Sequence, residues 1–125
     1  MALITQKDVD DIKAAMAELA PFTEEPITYR TFTGMTAGDS VHGTPETPNY
    51  TDTNETAMTR NLTAEEVQKS GGYYIIGDME FTIRRETEPQ YEDRIVCGGL
   101  TWKPKKIDKT FLGEVLWWEV KARRE

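Results

Sequence analysis

The sequence predicts a mainly β (α+β) domain: a small antiparallel β-barrel or sandwich with an N-terminal amphipathic helix, one short internal helix and a long polar loop. Three observations predict it. Apolar residues recur at helical spacing chiefly over residues 6–20, short β-branched and aromatic runs alternate with polar residues from Pro26 onward, and Gly, Pro, Asn and Asp separate those runs. A chain of 125 residues fits one core, so residues 1–125 read as a single barrel-like domain.

The helix over 6–20 follows from Val9, Ile12, Met16 and Leu19, spaced by three and four along one stripe. Thr5 with Asp8 makes a capping box and Pro21 is the expected stop. Asp8, Asp10 and Asp11 sit where carboxylates complement the helix dipole, which accounts for them without a bound cation. Residues 26–33, PITYRTFT, read as a strand with Ile27, Tyr29 and Thr31 on one face and Thr28, Arg30 and Phe32 on the other. From 34 to 55 the chain is rich in Thr, Gly and Pro with few large apolar residues, and so reads as a long flexible loop.

A short strand is expected over 56–61. A helix over 63–69 follows, with a Thr63/Glu66 capping box and Gly71-Gly72 as its end. Further strands are expected at 73–76, at 79–83 after a Gly77-Asp78 turn, at 95–97 and 100–102 around Gly98-Gly99, and at 115–120. The segment 103–109 reads as a basic turn and KARRE as a charged tail.

Composition narrows the chemistry. The net charge is -7, with 10 acidic and 4 basic residues in 1–60 against 12 and 11 in 61–125, which argues against nucleic-acid binding through bulk charge. One cysteine, Cys97, precludes an intramolecular disulfide, and one histidine, His42, leaves little for zinc. The start MALITQKDVDD has no basic, apolar secretory pattern, and no run reaches the length of a membrane span; a reducing, cytoplasmic setting is the expectation.

No catalytic constellation emerges. Asp52-Thr53-Asn54-Glu55-Thr56 begins like a calcium loop, but its sixth and twelfth positions are Ala57 and Thr63 instead of Gly and Glu. His42 with Asp39 and Glu46 is a lone histidine in a loop, and Cys97 reads as a small buried thiol. Glu86, Glu88, Glu92 and Asp93 read as a solvated turn, and the paired glycines lack phosphate-loop spacing. No enzyme activity, cofactor or metal is expected. Trp117 and Trp118 are adjacent in a strand and must face opposite ways, so one of them is a candidate interface residue.

The strand ITYRTF, the polar insertion 34–55, the Gly-Asp turn before MEFTI, Asp93-Arg94-Ile95 followed by glycines and Leu100-Thr101-Trp102, and the closing WWEVKARR together form a linear pattern over most of 25–124. The pattern resembles the head-closure, or stopper, proteins of tailed bacteriophages, which join head to tail. The resemblance implies a structural virion protein of the neck, made in the bacterial host cytoplasm. It would form a ring, a hexamer in the virion and able to stay monomeric in isolation, that closes the portal DNA channel after packaging. Its partners would be the portal adaptor and tail proteins, with no membrane. The loop would reach the channel, where Asp39, Glu46, Asp52 and Glu55 would make a negative collar past which DNA slides without being held. Trp117 or Trp118, with Tyr73 or Tyr74, would supply ring contacts. A tail-terminator or tail-tube ring protein and a small-ligand-binding β-barrel are the alternatives.

Overall fold

The computed structural model describes residues 5–39, 41–112 and 114–125, and of Leu112 only the backbone. Ser40, inside the expected loop, lies outside the described residues. Helix α1 spans Gln6–Thr23. The Thr5 hydroxyl accepts from the Asp8 N–H at 3.2 Å while Asp8 accepts from the Thr5 N–H at 2.9 Å, a reciprocal cap worth about 1 kcal/mol. Pro21 does not stop this helix; it lies in the last turn, where its missing N–H removes a single bond, and the Glu24 N–H still closes on the Ala20 carbonyl at 2.9 Å. Of the expected stripe only Val9 is buried.

Six strands follow: β1 Glu25–Thr36, β2 Thr47–Asn61, β3 Met79–Ile83, β4 Arg94–Cys97, β5 Leu100–Leu112 and β6 Glu114–Arg124, with a short helix α2, Ala64–Lys69, between β2 and β3. They close into a barrel in the order β1-β2-β3-β6-β5-β4, every pair antiparallel. The closing seam joins Thr28, Tyr29 and Arg30 to Val96, Ile95 and Arg94. Closure leaves the short β4 with partners on both sides, which a sandwich edge would not.

The interior is filled by side chains. Ile27, Tyr29, Ala57, Phe81, Ile83, Ile95, Trp102, Val120 and Ala122 form one cluster, with Phe81 and Trp102 edge to face at 5.8 Å. Alternation does this: on β6, Leu116, Trp118, Val120 and Ala122 point inward while Trp117, Glu119 and Lys121 point out. α2 forms as its capping box predicts, Thr63 and Glu66 satisfying each other, and Gly71 and Gly72 follow at positive φ of 65° and 95°.

Four further sequence expectations are corrected. The long loop is mostly strand: β1 continues to Thr36 and β2 starts at Thr47, and an Asp39–Thr44 bridge lies at the tip. Thr-rich strands with little to bury hold because each backbone pairs with the other, and because the barrel anchors both ends. Residues 73–76 are a turn instead of a strand, since the Ile75 N–H is taken by the Asp78 carboxylate at 2.9 Å and the Asp78 N–H by the Ile75 carbonyl at 3.1 Å. Residues 103–109 belong to β5, where Pro104 is accommodated at a register shift. The charged tail forms the end of β6, Arg123 and Arg124 pairing with Lys103 and Trp102.

Candidate functional site

The β1–β2 hairpin is longer than the barrel needs. β1 meets β4 only at 28–30 and β2 meets β3 only at 57–61, so among the described residues 31–36 and 47–51 have no strand partner but each other. This two-stranded arm bends at a register shift between Phe32 and Gly34, where Gly34 takes a φ of 142°. Phe32 and Tyr50 pack edge to face across it at 6.1 Å, and Arg30 lies 4.6 Å over the Tyr50 ring.

The four acids expected at the channel divide into two pairs. Asp39 and Glu46 lie near the arm's tip, and Asp52 and Glu55 at its base. No Lys or Arg occurs between 31 and 56. Local partners offset part of the charge: Arg30 donates to Asp52 at 3.0 Å, Arg85 approaches Glu55 at 3.8 Å, and His42 contacts Asp39, holding that carboxyl below its usual range. Glu46 has no ion partner among the described residues.

The arm is fixed to the barrel by a polar cluster that sequence reasoning missed. Asp93 is 2% exposed and accepts from the Tyr29 hydroxyl at 2.5 Å, the Gln90 N–H at 2.9 Å and the Phe32 N–H at 2.8 Å. Burial, then the hydrogen bond to Asp93, pushes the Tyr29 phenol far up. Arg85 stacks on the Tyr29 ring at 3.7 Å, and its buried Nε and Nη1 have no hydrogen-bond acceptor among the described residues. Read as a solvated turn acid, Asp93 is instead the anchor where the arm leaves the barrel. Only its position two residues before the buried Ile95 hinted at this.

The aromatic candidates separate. Trp118 is 6% exposed and donates from Nε1 to the Arg85 carbonyl at 3.0 Å, so it belongs to the barrel wall. Trp117 is the outward member, half-buried, with its Nε1 donating to Glu119 at 3.3 Å. Tyr73 and Tyr74 stack edge to face at 4.9 Å; the Tyr73 hydroxyl donates to the Lys105 carbonyl at 2.6 Å, and Lys105 Nζ returns a bond to the Tyr73 carbonyl at 2.7 Å. The structure brings Tyr73 and Tyr74 together but does not group them with Trp117.

Among the described residues no three His, Cys, Asp or Glu side chains gather as metal ligands. Burial, and then the nearby Glu25 carboxylate, raises the Cys97 thiol above its ordinary pKa, which works against a thiolate. A cleft of about 400 Å³ lies under α1, between Lys13, Met16, Arg84, Arg85 and Leu116, with Lys13 tied to Glu114 and Arg84 to Glu24. No described helix is long and apolar enough to cross a membrane.

No family model matches the chain, and no curated protein matches it. Among solved structures, it is similar to the solution structure of protein SF1141 from Shigella flexneri 2a, with a TM-score of 0.60 and 19% identity over 80% of this chain and 90% of that one. At that identity the likeness shows the fold alone.

Proposed function

We propose that the protein is a structural subunit of a bacteriophage neck. It forms a ring beneath the portal and its adaptor, closes the DNA channel after packaging and receives the tail. The observation that supports this reading is the arm: a small, filled barrel extends one acidic hairpin beyond its wall, the kind of projection a channel loop requires. Repeated around a ring, arms without Lys or Arg make a negative collar even after Arg30 and Arg85 are counted, and phosphates are repelled from it. The packed interior argues against the small-ligand barrel, because Tyr29, Phe81 and Trp102 occupy the space such a ligand would need.

The reading is tested by deleting the gene from the phage or prophage genome that encodes it. DNA-filled heads that leak their DNA and carry no tails, rescued by the intact chain, are the expected result. Stable full heads accompanied by tails of uncontrolled length would favour the tail-terminator alternative.

A further inference from the structure

The two ends of the barrel carry complementary surfaces. At one end, α1 rests against the start of β6, with Lys13 reaching Glu114 at 3.0 Å and Glu24 reaching Arg84 at 2.7 Å. The helix shows Leu19 57% exposed and Phe22 86% exposed, one turn apart, with Glu18 beside them and without an ion partner among the described residues. At the other end, the 70s turn projects Tyr73, Ile75 and Ile76 at 48%, 49% and 82% exposure, held by Asp78 and by Arg123 near the end of β6. Around it lie Lys103, Lys105 and Arg124, none with a carboxylate partner among the described residues. Glu114 and Arg123 are the two ends of one strand, roughly 30 Å apart at about 3.3 Å per residue.

An acidic apolar helix at one end and a basic apolar knob at the other fit two copies joined head to tail. We propose that α1 of one subunit docks on the Tyr73–Ile76 knob of the next. Phe22 and Leu19 cover Ile75 and Ile76, and Glu18 meets the Lys103, Lys105 and Arg124 rim. Because the two surfaces differ and lie at opposite ends, the contact is heterologous, and a suitable rotation closes it into a ring. The inference rests on the ring reading above and names its subunit interface. Apolar centre and charged rim is the division that stable interfaces use.

The test is sedimentation velocity of the intact protein up to about 1 mM, where contacts as weak as about -4 kcal/mol register. Wild type should show a concentration-dependent series of species. Phe22→Asp and Ile76→Asp each change an exposed side chain and should each weaken self-association by about tenfold or more. Circular dichroism melts should stay at wild-type values. Mixed together, the two variants should form a dimer and nothing larger, since the intact knob of one accepts the intact helix of the other. Association that neither substitution affects would place the interface elsewhere and leave the ring reading standing. A monomer at every concentration would overturn the inference, and the gene-deletion experiment then decides the ring reading separately.

Discussion

The Tyr29 hydroxyl donates to Asp93 Oδ2 at 2.5 Å, joining two buried residues 64 positions apart at the point where the β1–β2 arm leaves the barrel. Asp93 also takes the Phe32 and Gln90 N–H groups, so one carboxylate satisfies three donors on two segments. Removing the carboxylate strands all three, whereas removing the hydroxyl costs one bond. Asp93→Ala should therefore destabilise by about 3 kcal/mol or more and Tyr29→Phe by about 1 kcal/mol. Urea denaturation checks the order; equal losses would mean that Asp93 is not the common anchor.

The two tryptophans should behave differently. Trp118→Ala empties part of the barrel wall and should cost about 3–5 kcal/mol of stability. Trp117→Ala alters the outer face and should cost under about 1 kcal/mol. Thermal melts of the two variants make the comparison, and similar losses would contradict the inward and outward assignment.

Shortening the arm should separate folding from assembly. Replacing residues 37–46 by Asn-Gly keeps the strands and supplies a two-residue hairpin turn. The barrel contains none of the removed residues, so its stability should stay within about 0.5 kcal/mol of wild type, while DNA retention in heads carrying the variant falls. Heads that retain DNA normally with the shortened arm would remove the arm from the gate.

Acid should weaken the α2 corner. The Arg60 guanidinium, bonded to Glu66, and the Thr63 N–H after it lower the Glu66 carboxyl from 4.5 to about 2. A carboxyl held low in the folded state stabilises fully above its unfolded value and loses that contribution as pH falls from 4.5 toward 2. Glu66→Gln should therefore flatten the fall in Tm between pH 5 and pH 2.5, two values on either side of that loss. Because Glu66 is partly exposed, the change should be modest. An unchanged slope would assign the acid sensitivity to other groups.

The helix cap, α2, the hairpin at 95–102 and the inward face of β1 are legible in the sequence because each rests on a local period, a glycine turn or a capping pair; on β6 the alternation is legible but not which of Trp117 and Trp118 points inward. What escapes notice depends on distant partners. Residues 34–36 and 47–55 look like loop because Thr, Asp and Asn bury little, yet they become strand: 34–36 pair with 47–49, and 50–55 pair with 27–32 of β1. Ile75 and Ile76 look like strand by composition, but Asp78 takes the backbone donor that a strand would use. Asp93 looks solvated because its acceptors' donors, Tyr29 and Phe32, lie some sixty residues away. The candidate channel acids are visible as residues; the pairing of Asp52 with Arg30 is a property of register.

The most direct test of the proposed neck role is a cryo-electron microscopy map of tailed-phage virions produced with this chain present. In the proposed role a ring of these barrels lies between the portal adaptor and the tail, with the Thr36–Thr47 tips turned toward the channel and α1 of each subunit against residues 73–76 of its neighbour. Virions whose neck lacks this chain, or in which it occupies the tail tube, would overturn the neck role.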